Sequence, residues 1–214
     1  MIQTYTISGG DWSRDGPSAC VISILGVIQM VAVETPVCNF GWKGADFNLS
    51  SIDGNMYTCH DLSGSKGVVV MFICNHCPFV KSIIGRIVRD AKILSELGVN
   101  CVAICSNDDT SYPEDSFENM KVFAQENDFC FPYLHDGDQS VAKAYGAVCT
   151  PDFFGFNKAR ELQYRGRFDS ATMLADKDSD TKDLLHAMEA VAETGRGPEN
   201  QMRSVGCSIK WKTA

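Results

Sequence analysis

The chain has 214 residues, a formal net charge of −8 and 44% hydrophobic residues. That length can bury one substantial core, and the composition excludes a disordered chain. Only 19 Lys and Arg stand against 27 Asp and Glu, with no basic block, so nucleic acid is excluded as a partner, since phosphate binding needs clustered positive charge.

The first long apolar run, 19–33, holds Gln29, ends before Glu34 and follows Asp11, Arg14 and Asp15. It is too short for a membrane span and lacks the basic start and small-residue cleavage site of a signal peptide. Residues 1–29 read as an extension, disordered or a mis-assigned start, with Met30 as the alternative first residue. Residues 30–195 read as the folded domain and 196–214 as a polar, loop-like tail relieved by Ile209 and Trp211.

Strand and helix signals then alternate. Phe47–Leu49 and Met56–Thr58 flank Asp53-Gly54 and predict a hairpin. The continuous apolar run Gly67–Ile73 predicts a strand covered on both faces. Val80, Ile83, Ile84, Ile87, Val88, Ala91 and Leu94 form one helical stripe, closed by Gly98. Val99–Cys105 is the next buried strand. Ser111, Pro113 and Glu114 read as a helix start, with the helix running to about Asn127. A short strand over Phe131–Leu134, a short helix over Gln139–Ala144 and an antiparallel pair over Asp152–Phe156 and Leu162–Arg165 follow. The last helix is expected over Thr181–Glu193, capped by Asp180 or Ser179. This order gives an α/β sandwich whose central strand ends at Cys74.

Cysteines stand at 20, 38, 59, 74, 77, 101, 105, 130, 149 and 207. A chain this long and apolar does not need disulfide staples. Cys59, Cys101, Cys105 and Cys130 read as structural, packed as small hydrophobes, and the compartment as a reducing, cytoplasmic one. Cys74-Asn75-His76-Cys77-Pro78 is different. Cys74 is expected where a strand gives way to a helix, so that unpaired N–H groups and the helix dipole stabilise its thiolate. Cys77, three residues on, is close enough to close a disulfide, and Pro78 is tolerated in a first turn. A protonated His76 adds to thiolate stabilisation, which predicts a Cys74 pKa below the ~8.5 of a free thiol. The alternative is half of a zinc site, with Cys59-His60 and Cys149 as further ligands.

The segment Val70–Lys81 resembles the active-site segment of the peroxiredoxin-like branch of the thioredoxin superfamily. Its bacterial members carry the labels thiol-disulfide isomerase, thioredoxin family protein and alkyl hydroperoxide reductase/thiol-specific antioxidant. The resemblance spans about Met30 to Lys212 and includes Phe40–Lys43, Tyr112–Met120, Cys149–Phe156 and Gly206–Lys212. It implies a thioredoxin-like α/β fold with a peroxiredoxin-style N-terminal β-hairpin. It also implies that Pro151 is a cis-proline facing the dithiol, with Thr150 presenting its backbone to a substrate's cysteine segment. Cys149 then lies near the dithiol, as a third redox thiol or a packed residue, and Cys207 is a second extra redox thiol that folds back, bridges subunits or does neither. Arg165 and Arg167 read as a solvated strand edge.

The sequence departs from both parent patterns. Ile73 and Asn75-His76 replace thioredoxin's tryptophan and proline, and Cys74 stands where peroxiredoxins have Thr or Ser. The leading expectation is a thiol–disulfide oxidoreductase in which Cys74 attacks and Cys77 resolves. A thiol peroxidase with Cys77 or Cys74 forming a sulfenic acid, and a metal carrier or redox sensor, are the alternatives. No cofactor or metal is expected. The expected partners are disulfide-containing proteins or small molecules and a thioredoxin- or glutathione-type reductant, in a monomer or homodimer.

Overall fold

The structure is a computed structural model that describes residues 20–22, 30–175, 177 and 179–213. Strands β1 (Cys20–Ile22) and β2 (Met30–Glu34) pair antiparallel. Of the expected extension, residues 1–19 and 23–29 lie outside the described residues, while Cys20–Ile22 belongs to a sheet. Strands β3 (Asn48–Ser51) and β4 (Met56–Thr58) form the expected hairpin. Asp53 holds its turn by accepting from Asn55 N at 2.9 Å and from Tyr57 Oη at 2.9 Å.

Strand β5 (Gly67–Phe72) is buried at every residue. Helix α1 (Pro78–Glu96) turns the whole predicted stripe inward. Burying each of its Val, Ile and Leu side chains stabilises the fold by roughly 1.5–3 kcal/mol. Gly98, at φ +84°, takes the left-handed position after the helix that side chains with a Cβ avoid. Strand β6 (Val99–Cys105) then pairs parallel with β5.

The next helix starts later than its sequence signals suggest. A 3₁₀ turn at Pro113–Asp115 comes first, and helix α2 (Phe117–Glu126) is capped by Ser116, which accepts from Asn119 N at 3.4 Å. The cause is Asp115, whose side chain is fully buried against residues 75 and 76. Strand β7 (Tyr133–His135) begins after Pro132, which has no N–H to give. Helix α3 (Ser140–Tyr145) and strands β8 (Cys149–Thr150), β9 (Asp152–Asn157) and β10 (Leu162–Tyr164) follow. Helix α4 (Asp183–Thr194) begins two residues late, with Lys182 at its cap and no side-chain cap bond. Asp180, an expected cap, instead accepts from Ser170 Oγ at 3.0 Å and Lys177 N at 2.7 Å.

The main sheet runs β10-β9-β5-β6-β7-β3-β4. Side chains alternate across it. Val69, Met71 and Ile73 join α1, α2 and α4 in one core, whereas Val68, Val70 and Phe72 join α3 and Tyr145 in the other. The tail is the main departure from expectation. Val205–Ser208 forms strand β11, inserted between β2 and β8 in a second sheet of order β1-β2-β11-β8. Ile209 is buried in the second core and Trp211 is exposed. Among the described residues no helix is long and apolar enough to cross a membrane.

Candidate active site

The dithiol lies at the C-terminal end of β5, near the middle of the main sheet. Phe72 ends the strand, and residues 73–76 bridge to Cys77, which is the N-cap of α1 with Pro78 at its first position. Pro78 fits there because a first-turn N–H has no helical partner to lose. Cys77, not Cys74, therefore occupies the helix terminus. Both sulfurs are buried, with the two residues 1% and 0% exposed.

This placement reverses the expected electrostatics. Bonds from the Cys207 thiol, the Cys74 thiol, the Thr150 hydroxyl and the Val80 N–H pull the Cys77 pKa far below the thiol range, against the cost of burial. The Thr150 carbonyl oxygen, 3.1 Å from Cys77 Sγ, opposes this, but four donors outweigh one acceptor. Burial, the bond to Cys77 and the negative field of Asp115 push the Cys74 pKa up instead. The helix begins four residues after Cys74, so its terminal N–H groups face Cys77 rather than Cys74. Cys74 Sγ also lies 3.4 Å from Thr150 Oγ1.

Asn75 and His76 organise the loop between the sulfurs. Asn75 donates from Nδ2 to Glu114 O at 2.9 Å and accepts from Tyr133 Oη at 3.0 Å. His76 Nδ1 lies 2.7 Å from Asp115 Oδ2 and its ring stacks on Tyr112 at 5.6 Å, with a ring nitrogen within 4.8 Å of Cys74 Sγ. Asp115 is the organising group that sequence reasoning missed. Its carboxylate also accepts from Asn75 N at 2.8 Å, His76 N at 3.3 Å and Asn107 Nδ2 at 2.7 Å. Asp115 stands in the segment Tyr112–Met120, two residues after Pro113, but nothing local marks that acid as buried.

The bond to Asp115 raises the His76 pKa above its ordinary value, against burial. A pKa raised in the folded state stabilises fully below the unfolded value of about 6.5, and the contribution is lost as pH rises through the folded value. Asp115→Asn therefore destabilises the protein more at pH 6 than at pH 9. Thermal denaturation at both pH values measures this, and equal losses would refute a charged His76–Asp115 pair.

The Thr150–Pro151 peptide bond is cis, as the resemblance implied. One edge of β8, however, is closed to a substrate strand, and β8 is the last strand of its sheet. Cys207 pairs with Thr150 and Ser208 with Cys149, so the chain's own β11 covers that edge. Cys207 is brought to the dithiol, with its Sγ 3.2 Å from Cys77 Sγ. Cys149 is close in the backbone; its thiol lies 3.5 Å from Pro151 O and burial raises its pKa. Cys59, Cys101 and Cys105 are buried as expected, whereas Cys130 is exposed.

Arg165 is no solvated edge residue. It is buried and paired with Asp152, NH2 to Oδ2 at 2.9 Å, so its guanidinium is committed to that pair rather than to the sulfurs. Arg167 pairs with Asp183.

The zinc set anticipated from sequence does not assemble. Cys59 packs in the core across the sheet from the dithiol. Among the described residues the ligand atoms that gather within 4.8 Å are those of Cys74, His76 and Asp115. Both Asp115 oxygens already accept hydrogen bonds, so a cation there has to displace the His76 contact. The donor set therefore fits a hydrogen-bonded loop better than a metal centre.

The sequence profile of the AhpC/TSA family matches residues 40–168. An uncharacterized conserved protein of Geobacillus kaustophilus is 44% identical, with a TM-score of 0.82 over 87% of this chain and 100% of that one. The hypothetical protein SMc02350 of Sinorhizobium meliloti 1021 is 39% identical, with a TM-score of 0.80 over 85% and 99%. A secreted disulfide oxidoreductase of Mycobacterium tuberculosis is 18% identical, with a TM-score of 0.51 over 68% and 95%, a likeness of fold alone. Among curated proteins none matches.

Proposed function

We propose that this chain, which belongs to the AhpC/TSA family, is a thiol–disulfide oxidoreductase whose working pair is Cys77 and Cys74. The observation that carries the reading is the set of donors around Cys77 Sγ at the N-terminus of α1. Such a sulfur is a thiolate at neutral pH and a ready nucleophile.

The Cys77 thiolate attacks one sulfur of a substrate disulfide. A Cys77–substrate bond forms and the other substrate sulfur leaves as a thiolate. Cys74 then attacks Cys77 Sγ, its proton passing to the departing thiolate, and the Cys74–Cys77 disulfide remains. Two electrons have moved to the substrate. A dithiol or glutathione-type reductant returns them in the reverse sense.

Asn75 and Thr150 keep the loop and the cis-proline turn in register with the sulfurs. A groove of about 480 Å³ opens on the Asn75–His76 side, lined also by Lys81, Ile84, Glu114 and Phe123. With β11 along one edge of Thr150, that groove offers a substrate an approach, and it suits small disulfides or an extended segment.

Insulin reduction under dithiothreitol tests the reading. The protein is expected to hasten precipitation of the insulin chains, and a rate no greater than that of dithiothreitol alone would refute it. Stopped-flow oxidation by hydrogen peroxide at a rate far above free cysteine, without insulin reduction, would assign peroxidase chemistry instead.

A further inference from the structure

We propose that Cys207 is a third catalytic thiol of the centre, which takes the disulfide over from Cys74 so that the oxidised protein is held as Cys77–Cys207. The inference rests on the thiol–disulfide reading above and extends it to a residue on the C-terminal strand.

The geometry points there from three sides. Cys77 Sγ is the central sulfur, hydrogen-bonded to the Cys74 thiol and 3.2 Å from Cys207 Sγ. Closing that gap to the ~2.05 Å of a disulfide needs a shift of only about 1.2 Å. Moreover, β11 holds Cys207 in place by pairing on both edges, to Ala32 of β2 and to Thr150 of β8. Gly206 makes this approach feasible, because a Cβ there would collide with the Thr150 carbonyl. Beyond the strand, the chain is tied down again. Lys210 N donates to Asn107 Oδ1 at 2.9 Å, and Gln139 Nε2 donates to Lys210 O at 2.8 Å. Asn107 is the same residue that donates to Asp115 under the dithiol loop. The strand and the loop are therefore braced on a common residue.

A sulfur with one thiol on each side is placed for exchange, in which one sulfur enters as another leaves. After substrate reduction the centre holds Cys74–Cys77. Cys207, deprotonated, attacks Cys77 Sγ. The Cys77–Cys207 bond forms, the Cys74–Cys77 bond breaks, and Cys74 leaves as a thiolate that takes up the proton Cys207 released. No electrons enter or leave. The product has β11 cross-linked to the start of α1 and Cys74 free. A reductant then has to reach a bond covered by the C-terminal strand rather than one beside the Asn75–His76 groove.

Disulfide mapping tests this on the intact chain. The protein is oxidised with a stoichiometric small disulfide, alkylated and digested with trypsin without reduction. Residues 67–81, carrying Cys74 and Cys77, and residues 204–210, carrying Cys207, fall in separate peptides. Wild type is expected to yield the cross-linked pair of peptides with Cys74 alkylated. Cys74→Ser is expected to yield the same cross-link, and Cys207→Ser the internal Cys74–Cys77 loop alone. If wild type and Cys74→Ser give no cross-link while Cys207→Ser forms Cys74–Cys77, Cys207 only packs and the inference falls alone. If Cys207→Ser forms no Cys74–Cys77 bond either, the oxidoreductase reading falls and takes the inference with it.

Discussion

Cys77→Ser abolishes disulfide exchange and removes the thiolate absorbance near neutral pH, whereas Cys74→Ser keeps the thiolate and stalls as a mixed disulfide. The expected asymmetry follows from where α1 begins. Cys77 is its N-cap and receives donors from Cys207, Cys74, Thr150 and Val80. Cys74 sits in the preceding loop, buried and within the field of Asp115. A thiol of ordinary pKa, ~8.5, is only about 3% ionised at pH 7, so a sulfur held ionised has roughly a 30-fold larger nucleophilic population. Loss of Cys77 removes that population, and Cys74 cannot replace it because burial and Asp115 keep it protonated.

Thiolate absorbance titrated from pH 4 to 9, with alkylation rate at pH 6 beside it, measures the effect. Cys74→Ser is expected to alkylate at Cys77 at pH 6, and Cys77→Ser to alkylate slowly at every thiol. The opposite pattern, with the acidic thiolate surviving in Cys77→Ser, would restore Cys74 as the nucleophile.

The elements that build the main sheet were legible because their signals are local. Gly67–Ile73 is apolar at every position, and the α1 stripe repeats at helical spacing, so each reports its burial without reference to the rest of the chain. The dithiol was legible for the same reason. What escaped is non-local. Asp115 looks like one of many acids until the chain folds it under residues 75 and 76, and that contact delays α2. Arg165 reads as a surface cation because its partner, Asp152, lies thirteen residues away on the neighbouring strand. Val205–Ser208 offers too few apolar residues to announce a strand. It becomes one only because β2 and β8 leave a space between them. Which cysteine would sit at the helix terminus also turned on a helix boundary, a feature poorly signalled by local residues.

Arg165→Met should be the most destabilising single substitution outside the hydrophobic cores. The guanidinium donates to Asp152 Oδ2 at 2.9 Å and to Gly146 O at 2.8 Å, and its plane lies 4.3 Å from the Phe154 ring centroid. The Asp152 side chain is wholly buried. Burial raises its pKa even with Arg165 beside it. Removing the cation leaves a carboxylate with only the Val148 N–H, at 3.3 Å, for support. Breaking a buried pair from one side costs about 3–5 kcal/mol, which in a chain of this size lowers Tm by roughly 6–20 °C. Without Arg165 the carboxyl pKa rises further, so the protonated form is favoured in the fold and the loss shrinks as pH falls. Urea denaturation at pH 5 and pH 8 is expected to show the smaller loss at pH 5. Asp152→Asn combined with Arg165→Met is expected to recover much of the stability, since no buried charge is then left alone. A single variant that loses less than about 1 kcal/mol at pH 8 would mean the pair contributes no more than a surface ion pair. Because Asp152 directly follows Pro151, the same substitution loosens the turn that sets Thr150 against Cys77. The thiolate step of Cys77 is therefore expected to move upward in Arg165→Met, and to return in the double variant if the pair acts on the sulfur by holding that turn.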